Sequence, residues 1–173
     1  EPTRRGYAFL GWFTQETGGT QVDGNTVFKE VASTTYYAHW EEATVFSVVV
    51  PAVLPVTVDQ NGKVYVSNAE IVNHPPAAVQ VSSVTLTAEN GWTLVPYASD
   101  MSHAKVDSNQ IGFKINSAQT SKTGSTEQLV LTSPWQINEE ESLTLTYDAV
   151  VSALSQPVTN ANILSVLFVV EWA

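Results

Sequence analysis

Histidine is the side chain most often asked to move a proton near neutral pH, and this chain has three. His39 stands in Tyr37-Ala38-His39-Trp40, His74 precedes Pro75-Pro76, and His103 follows Asp100-Met101-Ser102. They lie far apart in sequence, and none sits in a catalytic motif. Serine is abundant, but no Gly-x-Ser-x-Gly elbow occurs to expose one as a nucleophile. There is no cysteine, which removes disulfides, thiolate metal sites and a Cys nucleophile. The expectation is therefore a chain with no catalytic residues and no cofactor.

Carboxylates offer metal chemistry only weakly. Asp59-Gln60-Asn61-Gly62 has the residue types of a calcium loop, but it lacks the spacing and the distal Glu of an EF-hand. A hairpin turn explains it better. Asp100 and Asp107 flank the segment holding His103, and they would serve calcium only if folding brought their oxygens together. Glu139-Glu140-Glu141 reads as a solvated turn before a strand, with attraction of cations or a basic partner as the alternative. A Lys–Asn isopeptide bond needs a buried Lys. Lys114 has the opposite parity to Ile111, Phe113 and Ile115, which argues against it.

Aromatic rings are the remaining candidates. Trp12, Trp40 and Trp172 are expected to fill a core. Trp92 and Trp135 stand beside turn signals and are expected to be exposed. With Tyr97 they are the candidate ligand-contact residues, since ring faces set together can stack on sugars.

The elements that must carry these residues are strands. Tyr7, Phe9 and Phe13 share one parity, with Gly11 in the row and Trp12 on the other parity. A bulge at Gly11 would redirect Trp12. Gly18-Gly19 and Asp23-Gly24-Asn25 supply turns, and Tyr36 to Trp40 a second strand. Glu41-Glu42 ends this unit, and apolar character resumes at Val45, so the linker is short and a fixed angle between two units is expected.

Residues 43–173 read as a larger all-β unit. Val45 to Val50 is a strand stopped by Pro51, and Val56, Val58, Val64 and Val66 flank the Asn61-Gly62 hairpin turn. Val79 and Val81 share one parity and Val84 and Leu86 the other, so a bulge is expected at Ser82-Ser83. Glu89-Asn90-Gly91 is a turn. Further strands follow at Ile111 to Ile115, Gln128 to Thr132 and Leu143 to about Val151. Ser117 to Glu127 reads as a mobile polar loop, and Asn160-Ala161-Asn162 as a turn. Leu164, Val166, Phe168, Val170 and Trp172 alternate with Ser165 and Glu171 in the clearest strand of all. Eight or nine strands without a helical period predict an antiparallel β-sandwich.

Within residues 1–40 the spacing has a specific resemblance. Pro2-Thr3-x-x-Gly6-Tyr7-x-Phe9-x-Gly11-Trp12-Phe13, then Gly18-Gly19-Thr20 and Tyr37-Ala38-x-Trp40, closely resembles the Listeria–Bacteroides repeat, the B-repeat of internalins. The resemblance implies a small β-grasp-like module of secreted or wall-bound bacterial proteins, usually a spacer or adhesive unit. The family's opening strand and Asn-Gly-Gly-type turn are missing before Pro2, so the module reads as truncated. Its sheet edge would then be open to another chain, with a homodimer through residues 1–42 as one such pairing. The stretch from Val53 to Asp59, through Ile71-Val72-Asn73, to Asn90 to Leu94 is similar to a bacterial surface sandwich found in repetitive wall proteins of intestinal Firmicutes.

Composition agrees with a surface module. The chain has 173 residues, 43% of them hydrophobic and 14% charged, with a formal charge of −10. Residues 1–42 carry three basic and six acidic residues, and residues 43–173 carry four and eleven. With no basic stripe, nucleic acid and anionic membrane are excluded as expected partners. No apolar run reaches the roughly 18 residues of a span, and with neither signal peptide nor wall-sorting tail the chain reads as an interior piece of a longer one. The expectation is a non-enzymatic, extracellular segment of a surface protein, a spacer and adhesion scaffold meeting a protein or glycan on a host or neighbouring cell. The alternatives are a carbohydrate-binding module using Trp92, Tyr97 and Trp135, and a homotypic assembly module.

Overall fold

Period-two alternation becomes strands throughout the computed structural model, which describes residues 2–27, 33–43, 45–58, 64–158 and 161–173. The fold is all-β. Its one helical element among those residues is a single 3-10 turn at Met101–His103.

The first sheet is antiparallel, with order β2-β1-β3: β1 (Tyr7–Phe13), β2 (Gln21–Val22) and β3 (Tyr37–Glu42). Its register slips between Phe9 and Gly11, so the expected bulge is present. Gly11 sits at φ +124°, and a Cβ there would meet the Gln21 amide at 2.5 Å. That amide donates to the Leu10 carbonyl at 2.9 Å, tying down the bulge. The extra residue brings Trp12 beside Phe9, ring centroids 5.7 Å apart and edge-on, while Trp40 meets Phe9 at 5.2 Å. It also parts Phe13 from Phe9. The Phe13 ring stacks on His39 at 4.0 Å instead, and His39 Nε2 lies 2.9 Å from the Gln15 carbonyl. His39 is thus a half-buried stacking partner. The Asp23 turn closes as expected, with Thr26 N–H donating to Asp23 O at 3.1 Å and Asn25 N–H to Asp23 Oδ1 at 2.9 Å.

Thirteen strands follow, several of only two or three residues: β4 (Val48–Val49), β5 (Val56–Val58), β6 (Val64–Val66), β7 (Ala69–Asn73), β8 (Val79–Ala88), β9 (Thr93–Leu94), β10 (Gln110–Ile115), β11 (Ala118–Gln119), β12 (Thr126–Gln128), β13 (Trp135–Ile137), β14 (Ser142–Leu145), β15 (Tyr147–Val151) and β16 (Leu164–Trp172). One layer is built on β8, which pairs with β16 along one side and with β12 and β13 along the other. The facing layer is built on β10, between β15 and β11, with β9 joining it in parallel. A sheet β14-β7-β4 and the hairpin β5-β6 complete the sandwich. The strand predicted over Val45 to Val50 is only Val48–Val49. The Asp59 to Gly62 turn of the hairpin, and Asn160 of the other predicted turn, lie outside the described residues.

The β8 bulge lies where parity breaks. Val169 faces Ser83 and Val170 faces Val81, which leaves Ser82 as the extra residue. Val79, Val81, Val84 and Leu86 therefore all point inward, and all four are fully buried. They join Ile71, Ile111, Phe113, Ile115, Ile137, Leu145 and Tyr147 in a single core cluster. Burial of this apolar face is the main stabilising term.

Two expectations are corrected. Leu143 to Val151 is not one strand: the chain changes sheets at Thr146, with β14 on β7 and β15 on β10. Asn116, at φ +48°, fixes this corner. Its Oδ1 accepts from Thr146 N–H at 2.9 Å and Thr146 Oγ1 at 3.1 Å. Ser117 to Glu127 is not a simple loop, since it holds β11 and the start of β12. Buried Thr120 donates to the Val95 carbonyl at 2.7 Å. Buried Glu127 accepts from Ser121 N–H at 3.0 Å and Ser121 Oγ at 2.7 Å. Polar composition misled because these hydrogen bonds satisfy polar groups inside the fold. The strand expected at Gln128 to Thr132 lies earlier, at Thr126–Gln128.

Candidate functional site

The ligand-contact residues predicted from sequence do not form a platform. Trp92 is buried in the core cluster, which corrects its expected exposure. Asn90 (φ +52°) and Gly91 (φ +80°) make the tight turn that folds its ring inward, and Trp92 N–H donates to Glu89 O at 3.0 Å. Trp135 is half-buried in β13 opposite Val81, in the β8 layer. Tyr97 belongs to the other layer. Its hydroxyl donates to Asp148 Oδ2 at 2.7 Å, and Lys114 Nζ lies 5.9 Å from its ring centroid. The Asp148 hydrogen bond, then burial, pushes the Tyr97 hydroxyl above its ordinary pKa. Trp12, expected in a core, is 43% exposed, because the bulge turns it onto an open sheet face.

The other candidates are separated too. Asp100 caps the 3-10 turn by accepting from Ser102 N–H at 2.9 Å, and His103 Nδ1 lies 3.5 Å from its carboxylate. Asp107 instead accepts from Ser155 Oγ at 2.6 Å and Ser155 N–H at 2.8 Å. Among the described residues no group of three His, Asp or Glu could hold a metal ion. His74 is exposed, and its N–H donates to the Ser47 carbonyl at 2.9 Å. In the Glu139 to Glu141 turn, Glu141 Oε2 accepts from Asn138 Nδ2 at 2.9 Å.

These capping carboxylates carry a pH dependence. The Ser155 hydroxyl and then its N–H hold Asp107 below the usual carboxylate range. The Ser102 N–H does the same for Asp100, and the Asn25 N–H for Asp23. A depressed folded pKa stabilises above the unfolded value, and that share is lost as pH falls through the folded one. The expected result is a urea midpoint that drops on acidification below about pH 4. Asp107→Asn should flatten part of this acid limb, which urea titrations from pH 6 to pH 2.5 would reveal.

What folding does bring together is the joint between residues 1–42 and the sandwich. Glu171, near the end of β16, is its hinge pin. One carboxylate oxygen accepts from Arg5 Nη2 at 3.1 Å, the other from Gln80 Nε2 at 3.0 Å. Next to it, Trp172 lies against Gly6, where a Cβ would come 3.8 Å from Trp172 Cδ1. Phe46 meets the same indole edge-on at 5.0 Å. Ala43 N–H donates to Gly6 O at 2.8 Å, and Ala173 N–H to Ala78 O at 3.0 Å. Trp172 was expected to be a core residue. It is half-buried and reaches the core, but it also seats the first sheet, a role alternation within one strand cannot reveal.

Beside this contact runs a cleft of about 320 Å³, walled by Tyr7, Phe9 and Trp40 on one side and by Ala78, Asn138 and Glu141 on the other. Arg4 covers the Tyr7 ring at 4.0 Å from its centroid. Ring faces beside a guanidinium and carboxylates are equipped for holding and orienting.

Residues 1–39 match the family model of the Listeria-Bacteroides repeat domain. No curated protein and no solved structure matches the chain. Among the described residues no helix is long and apolar enough to cross a membrane.

Proposed function

We propose that this chain is a non-enzymatic, extracellular segment of a bacterial surface protein, a repeat module (1–42) joined to a β-sandwich (43–173). It acts as a spacer and adhesion scaffold, holding a partner protein or glycan of a host or neighbouring cell at a set distance. The repeat match supports the surface role. The observation that carries the spacer reading is the joint: Glu171 binds Arg5 from one unit and Gln80 from the other, beside Trp172 packed on Gly6 and Phe46. An exposed ion pair alone is worth little, about 0–1 kcal/mol. An indole seated between Gly6 and the Phe46 ring adds apolar burial that resists bending. A spacer must transmit position, and a joint with polar and aromatic contacts does so better than a free linker. The carbohydrate reading is less favoured, because Trp92 is in the core.

Residual dipolar couplings of the aligned chain test the spacer. One alignment tensor should fit the amides of β1 to β3 and those of β7, β8, β10 and β16 together. Two independent tensors would describe a loose tether and overturn the rigid spacer.

A further inference from the structure

The longest free sheet edge among the described residues is β16. Over its nine residues it pairs with β8 alone, and no described backbone hydrogen bond reaches its outer side. Natural edge strands are usually blunted by Lys, Pro, a bulge or shortness. None of these protects β16. It contains no Pro, Lys or Arg, the bulged residue is on β8, and its single charge, Glu171, is engaged by Arg5 and Gln80. Its outward row reads Ser165, Leu167, Val169, Glu171, with Leu167 62% and Val169 43% exposed. The other edges are shorter. β3, the next in length, ends in Glu41-Glu42, so two copies paired along it would bring carboxylates together.

We propose that β16 pairs with β16 of a second copy of this chain, antiparallel and centred on Phe168, so that two β8 layers become one continuous sheet. The occupant is argued from the strand's own symmetry. A two-fold axis at Phe168 sets Leu167 opposite Val169, and Ser165 opposite Glu171. The apolar pairs then form one four-residue patch, flanked at each end by Glu171 and by Ser165, whose hydroxyl donates to Glu89 at 2.9 Å. Moving the centre by one residue places Val169 opposite Ser165, or Leu167 opposite Glu171. Only the Phe168 register matches apolar with apolar and polar with polar. The inward row keeps its place in the core, because the axis is perpendicular to the sheet. The two Trp172 joints fall at opposite ends of the paired strands, so the repeats point away from each other. The assembly would link two surface chains back to back.

Light scattering on the intact chain tests this. The expected mass is twice 18.8 kDa, with Leu167→Lys/Val169→Lys weakening self-association at least about tenfold by setting like charges opposite each other. Leu167→Lys/Val169→Glu sets Lys opposite Glu and should restore the dimer. Both variants alter exposed side chains, and circular dichroism confirms their fold. Because the chain has no cysteine, a mixture of Leu167→Cys and Val169→Cys chains should form a disulfide that neither forms alone. A single-chain mass with a dissociation constant weaker than about 1 mM overturns the proposal. So does a dimer indifferent to the double-lysine change, which would place the contact elsewhere.

Discussion

Replacing Phe113 with Ala lowers the unfolding free energy by about 4 kcal/mol. Phe113 is central in β10, with Ile111 and Ile115 on the same face and Ala149 opposite it in β15. Its ring is buried, with the Tyr147 ring centroid 6.1 Å away. Truncation removes the transfer energy of a phenyl group and leaves a cavity that two strand-paired backbones cannot close. A domain of this size has roughly 5–15 kcal/mol in total, so the variant approaches the edge of stability. Urea unfolding followed by circular dichroism measures the loss. Val130→Ala is the control: Val130 is 79% exposed, and its change should stay within about 0.5 kcal/mol. A Phe113→Ala loss under about 1.5 kcal/mol would mean that the two layers do not meet as described.

Asn73→Asp should cost as much, with a distinctive pH dependence. Asn73 is buried at the end of β7. Its Nδ2 donates to the carbonyls of Ala77 at 2.9 Å, Ile137 at 3.2 Å and Asn138 at 3.0 Å, while Oδ1 has no partner. One amide thus ties β7 to the end of β13 and to Ala77, and two of the residues it holds, Ala77 and Asn138, line the joint cleft. The substitution points a carboxylate at three carbonyl oxygens. An uncompensated buried charge costs about 3–5 kcal/mol. The protonated form returns one donor, so the introduced carboxyl has a raised folded pKa. The favourable contribution of a raised acid is present below the unfolded pKa and lost as pH rises toward the folded one. The gap between variant and parent, read from urea midpoints, should widen from about pH 4 to pH 7. The parent itself loses stability on acidification, as its capping aspartates protonate, so the two trends run in opposite directions. A pH-independent gap would refute this account of Asn73.

Much of the fold was legible because strands write their faces into parity. Both bulges were readable, the first from a glycine, Gly11, within an aromatic row and the second from broken alternation at Ser82-Ser83. The β16 face was readable from five inward residues in register. The corner at Thr146 was not, because Leu145 and Tyr147 are both inward-facing, each in its own sheet. Parity records which way a side chain points and is silent about which neighbour the backbone pairs with. Glu127 and Thr120 looked like loop residues because their hydrogen-bond partners are supplied only once distant segments meet.

The joint divides in the same way. The repeat spacing, the turns and the short link between Glu42 and Val45 were set locally, by residue type and backbone freedom. Trp92 folded inward and Trp12 outward against their sequence neighbourhoods, because burial depends on what lies across the layer. The contacts of Trp172 with Gly6 and Phe46, the two-sided grip on Glu171 and the free edge of β16 were decided by tertiary structure alone. They arise between segments as much as 166 residues apart, and no local rule of alternation, turn or charge reaches that far.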